Sequence, residues 1–130
     1  MYGFKAEMTK IQGDLPAHIT AFDLQTLNYT YNNNQYGVCI SCYAQSVPED
    51  AESSVDLTIQ LVNSTPGSYL PDDVYYSLSF RDVNDVEIMN YTTGNVSNVN
   101  PGDITIFGLT VTKSEYEQIH HLVVTANIPE

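Results

Sequence analysis

The chain has 130 residues, with 4 Lys and Arg against 16 Asp and Glu, a formal charge of −12 at neutral pH. That length predicts one domain, large enough to bury a core without help from a disulfide or a metal. The charge disfavours nucleic acid and anionic membrane surfaces as partners, a hydrophobic content of 42% argues against disorder, and no apolar run approaches the roughly 18 residues of a membrane-spanning helix.

Tyr2, Phe4, Ala6 and Met8 alternate with Gly3, Lys5 and Glu7, the period of a strand with one buried face. The same segment has no continuous apolar stretch of the kind a secretory leader needs, so no leader is expected there. Gly13-Asp14-Leu15-Pro16 is a turn signal. Two short runs follow, Ala17 to Leu24 and Gln25 to Tyr31, with Leu27, Tyr29 and Tyr31 on one face. Asn32-Asn33-Asn34 is a hairpin tip, because Asn tolerates the left-handed backbone of tight turns. Tyr36 to Tyr43 is the return strand.

Ser46 to Ser54 reads as a loop. Val55, Leu57, Ile59 and Leu61 then give the cleanest alternation in the chain. Asn63 to Pro71 is punctuated by Pro and Gly, and its length suits a crossover between two sheets. In Asp72 to Tyr91, Val74, Tyr76, Leu78 and Phe80 share one face, Asp82-Val83-Asn84-Asp85 makes a turn, and Val86 to Met89 leads back. Thr92 to Asp103 is a second long loop. In Ile104 to Val111 two apolar phases collide: Ile104 and Ile106 against Phe107, Leu109 and Val111. A bulge near Gly108 is expected to reconcile them. Ser114 and Glu117 have capping-box spacing for a short helix ending near His120 and His121, and Leu122, Val124, Ala126 and Ile128 form the closing strand.

From Val55 onward this order resembles immunoglobulin-like accessory domains in general: a strand, an N-x-[ST] loop, a hairpin with an acidic turn, a Pro-Gly-Asp turn, a strand, a helical turn and a closing strand. The resemblance is to a fold. The Cys…Trp…Cys pattern of true immunoglobulin domains is missing, since Trp is absent and Cys39 and Cys42 are three residues apart. The expectation is a single all-β domain over residues 1–130, an immunoglobulin-like β-sandwich of eight or nine short strands with one helical turn near the C-terminus.

Several constellations bear on chemistry. Asp82, Asn84, Asp85 and Glu87 place oxygen ligands at near-alternate positions, with Asp72 and Asp73 at the other end of the hairpin, and hard cations such as calcium want such groups. The spacing is not that of an EF-hand, and Asp and Asn also suit a turn for local reasons. Glu49, Asp50 and Glu52 would add ligands if the fold brought them near. Cys39 and Cys42 form a C-x-x-C, but on a strand their Cα atoms stand about 10 Å apart at roughly 3.3 Å per residue, too far for a disulfide. The expectation is therefore two reduced cysteines. His18, His120 and His121 lack zinc-ligand spacing. No G-x-S-x-G, H-E-x-x-H, G-x-G-x-x-G or P-loop occurs, so no enzyme is expected. Ten tyrosines and eleven asparagines are the strongest compositional bias. Exposed tyrosines such as Tyr29, Tyr31 and Tyr75 are candidates for packing on a protein or a sugar. Sequons stand at Asn28, Asn63, Asn90 and Asn95.

The functional expectation is a non-enzymatic binding or structural module without a required cofactor. Its first form is a virion part, a decoration or accessory protein of a phage capsid or tail, working through protein contacts on a lattice or as a homo-oligomer. The alternative is an acidic inhibitor that imitates nucleic acid in the groove of a host protein, which would act in the cytoplasm. The third is a cell-surface adhesion or carbohydrate-binding module. No nucleic-acid binding and no membrane insertion are expected.

Overall fold

The computed structural model describes residues 2–10, 19–20, 22, 25–46, 54–65, 67, 69–71, 73–93, 100 and 102–128. Several residues singled out above lie outside that set: His18, Glu49, Asp50, Glu52, Asp72, Asn95 and the turn at 13–16. Among the described residues there are nine strands and one helix. They are β1 Tyr2–Thr9, β2 Ile19–Thr20, β3 Gln25–Tyr31, β4 Asn34–Ser46, β5 Ser54–Asn63, β6 Tyr75–Arg81, β7 Glu87–Thr92, β8 Ile104–Thr112, α1 Lys113–Gln118 and β9 His121–Ile128.

Every strand pairing is antiparallel. One sheet has the order β1-β9-β6-β7, and the other runs from β2 and β3, both on β4, through β5 to β8. The connection from β5 to β6 therefore changes sheet, as the Pro/Gly-rich segment predicted. The last strand, β9, is central, held by β1 on one side and β6 on the other.

Alternation places the core. Leu57, Ile59 and Leu61 of β5 and Val38, Ile40 and Cys42 of β4 face Tyr76, Leu78 and Phe80 of β6 and Leu122, Val124 and Ala126 of β9, all essentially without solvent contact. Each such large aliphatic or aromatic side chain contributes about 1.5–3 kcal/mol on burial, set against the chain entropy lost on folding. Aromatic pairs bridge the two sheets, Tyr29 with Tyr76 at 6.2 Å between ring centroids and Tyr91 with Phe107 at 5.8 Å, and Phe22, outside the named strands, packs on Phe80 at 6.1 Å.

Local chemistry explains the turns. Asn32 and Asn33 take φ of 50° and 62°, the two left-handed residues of a tight hairpin whose twist matches its strands. At the β6–β7 turn, Asp82 Oδ1 accepts from the backbone N–H groups of Asn84 and Val86, at 2.9 and 3.0 Å, and Asp85 takes φ 64°. Gly37 lies where β4 meets the chain leaving β5. A Cβ there would stand 2.8 Å from Ser64 Oγ.

Two expectations are corrected. No bulge occurs at Gly108: β8 keeps an unbroken register against β5, from Val62 opposite Ile104 to Ser54 opposite Thr112. Phe107, Leu109 and Val111 face inward, while Ile104 and Ile106 stay outside at 53% and 60% exposure. The phase conflict is thus resolved by leaving two isoleucines in solvent. The irregularity falls instead in the hairpin, between Phe80 and Arg81. The capping box is at Thr112 and Glu115 rather than Ser114 and Glu117. Thr112 is the last extended residue of β8, so its hydroxyl already faces the first free N–H groups of the helix.

Candidate functional site

The acidic turn serves the fold in ways its sequence did not show. Asp82 is occupied with the turn itself. Asp85 reaches over the outer face of the first sheet and accepts from Arg81 at 3.1 Å and from His121 Nε2 at 2.8 Å. Glu87 accepts from Ser79 at 2.7 Å and Asn90 at 3.1 Å. These donors hold both carboxyls below their usual range. For Asp85 the bond from His121 is the largest cause and that from Arg81 the next; for Glu87 it is Ser79, then Asn90. Asn84 is exposed at the tip. The four residues read as calcium ligands share one turn, but the three carboxylates are each turned to protein donors. Among the described residues no group of three or more His, Cys, Asp or Glu is disposed to hold a metal.

His121 joins a longer chain. Its Nδ1 lies 2.9 Å from Nδ1 of His120. An ionised Asp85 takes the Nε2–H of His121. With His121 neutral, its Nδ1 then accepts from Nδ1–H of His120, leaving Nε2 of His120 as an acceptor. A cleft of about 430 Å³ opens beside His120, lined also by Lys10, Asp82, Glu117 and Gln118. Lys10 donates to the Tyr116 carbonyl at 2.7 Å and lies over the Tyr116 ring at 4.4 Å. Burial lowers its pKa, against a smaller opposing effect of Glu117. The described lining includes no hydroxyl or thiol, and the Lys10 amine it does include is engaged by the Tyr116 carbonyl. The pairing of Asp85 with His121, 36 residues apart, had no sequence signal.

The tyrosines divide. Tyr29 is buried, and its hydroxyl meets that of Tyr76 at 2.7 Å. Burial pushes Tyr29 up to about 12 and Tyr76 well above the ordinary phenol range. Tyr29 therefore belongs to the core and offers no platform to a sugar. Tyr31 is half-buried and donates to Asp73. Tyr75 and Tyr69 are exposed. A second cleft, about 440 Å³, lies beside Tyr29 and Tyr36 and is closed by Phe4, Gln35, Ser64 and Thr65. Of the sequons, Asn28 and Asn90 are exposed, whereas Asn63 is buried and its Oδ1 accepts from the N–H of Thr65. Cys39 and Cys42 are both free thiols on β4, and burial raises Cys42 to about 12.

A third surface stands out by its lack of charge. The inward positions of β4, β5 and β8 fix the outward ones as Cys39, Ser41, Tyr43 and Gln45, then Ser54, Asp56, Thr58, Gln60 and Val62, then Ile104, Ile106, Gly108, Thr110 and Thr112. In a chain of charge −12 the described residues at these positions include one charged side chain, Asp56, which accepts from the Thr110 hydroxyl at 3.0 Å. Val62 lies opposite Ile104 in the register, with Cys39 beyond it, so an apolar row crosses the sheet and ends in exposed isoleucine. The signal for this surface was in the sequence: the two colliding phases of Ile104 to Val111.

No family model, curated protein or solved structure matches the chain. No helix among the described residues is long and apolar enough to cross a membrane.

Proposed function

We propose that this protein is a non-enzymatic module that works through protein–protein contacts made by the outer face of its second sheet. The observation that carries the reading is the near-absence of charge from that face in a strongly acidic chain. Carboxylates keep a surface hydrated, and their depletion with aliphatic enrichment is the compositional mark of an interface core. Docking on a repeating protein lattice, as a virion decoration or accessory protein of a phage capsid or tail, is the form of this function we carry forward. Its support is the all-β build and the Tyr/Asn-rich composition. The immunoglobulin-like reading of the sandwich rests on two facing antiparallel sheets. The strand order is its own, since β1 pairs with β9, whereas the immunoglobulin constant order places the first strand beside the second.

The acidic-inhibitor reading draws on the same asymmetry, because a neutral face crowds the net charge onto the remaining surface. Salt separates the two. A neutral apolar contact keeps or gains strength between 50 and 500 mM NaCl, as screening removes repulsion between acidic partners. Binding to a basic groove loses strength steeply over that range. Light scattering across protein concentration, with binding to a polylysine-coated sensor in parallel, reads both. Association that survives high salt supports the neutral-face reading. No association of any kind, with salt-sensitive capture by polylysine, overturns it in favour of the inhibitor.

A further inference from the structure

We infer that a second copy of the same chain docks at the margin of this face, joined edge to edge through β8 so that the neutral outer face continues across both copies as one sheet. The inference rests on the interface reading above and names its partner. β8 ends the strand order of its sheet, so among the described residues one row of its backbone N–H and C=O groups has no strand to pair with. Such an edge accepts another strand unless charge, proline or a bulge guards it. The other edge strands of six or more residues are guarded or polar. β1 exposes Lys5 and Glu7. β7 carries Glu87 and faces the irregular register at Phe80 and Arg81. β3 exposes Gln25, Thr26, Asn28 and Thr30. β8, over nine residues, has no charged residue, no proline and no bulge, and it exposes two isoleucines.

Charge selects the occupant. A partner recognised through the acidity of this protein would need carboxylates at the contact, and β8 offers none. Two copies at −12 each repel one another, so a shared seam must run where both are neutral, and β8 is such a strand on both sides. An antiparallel pair about a two-fold axis at Gly108 uses all nine residues, setting Ile106 opposite Thr110 and Ile104 opposite Thr112 of the second copy. Gly108 then meets its own counterpart. Nothing lies within 4 Å of where a Cβ on Gly108 would be, so the centre of the seam has room for the two Ile106 side chains that flank it diagonally.

Sedimentation equilibrium and site-specific crosslinking test this. Directly paired Cα atoms stand about 4.5–5.5 Å apart, inside the disulfide range. In a Cys39→Ser background, Gly108→Cys is expected to oxidise to a covalent dimer. Thr110→Cys is expected to stay monomeric, since its two copies would be offset by four residues, ~13 Å along the strands. Ile104→Lys with Ile106→Lys alters exposed positions only and should weaken self-association at least tenfold while the melting transition of the monomer is retained. Two outcomes overturn the inference: a wild-type chain monomeric at several hundred micromolar, or crosslinking equal at positions 108 and 110. A third result also overturns it while sparing the interface reading, namely a dimer that ignores both lysines but is lost with Tyr43→Glu and Gln60→Glu on the sheet face.

Discussion

Tyr29 and Tyr76 illustrate how a single pair ties the sheets. Their hydroxyls satisfy each other between two buried side chains, so removing one leaves the other buried without that partner. Tyr29→Phe and Tyr76→Phe should each cost about 1–3 kcal/mol, and the double variant less than their sum; urea unfolding of the four proteins in a double-mutant cycle checks this. Asp85 acts on the exposed side. Its folded pKa lies below that of the unfolded chain, where an Asp titrates near 3.9. Its contribution is therefore complete above that value and is lost as pH falls through the lower folded one. Asp85→Asn keeps a residue that tolerates positive φ and removes the charge. The stability gap between Asp85→Asn and wild type should be widest near neutral pH and should close below about pH 4. Urea midpoints measured from pH 2.5 to 7 follow it, and a gap constant with pH would count against the pairing.

Among the elements, α1 shows where local rules read well and where they miss by a turn position. The sequence predicted a short capped helix after Val111, and one is there. Its cap is Thr112, because β8 runs on without a bulge and delivers Thr112, not Ser114, to the helix start with extended backbone. Thr112→Ala should cost about 1 kcal/mol, whereas Ser114→Ala, at an exposed position, should change stability by no more than about 0.5 kcal/mol; thermal melts of the two variants rank them. The strand periods in β1, β5 and β6 were legible for a simple reason: each buries one face, so polarity alternates with it. β8 misled because an edge strand has no requirement to bury both of its apolar phases. The bulge at Phe80 and Arg81 was not legible, since it depends on how the turn folds Asp85 back toward His121.

In the molecule as a whole the last strand is central. β9 bonds to β1 and β6, so its amides open only when the first sheet comes apart. Hydrogen exchange should find residues 122–128 among the slowest in the chain and the edge strand β7 faster; fast exchange throughout β9 would refute the strand order. Alternation, turn chemistry and charge settled within the chain itself that this is an antiparallel β protein with an acidic surface and reduced cysteines, because each of those properties is a matter of neighbours a few residues apart. Which strands became neighbours, which carboxylates found donors, which tyrosines were buried and which edge was left bare were settled only in three dimensions. Those outcomes depend on contacts such as Asp85 with His121, or Tyr29 with Tyr76, between residues that no local period connects.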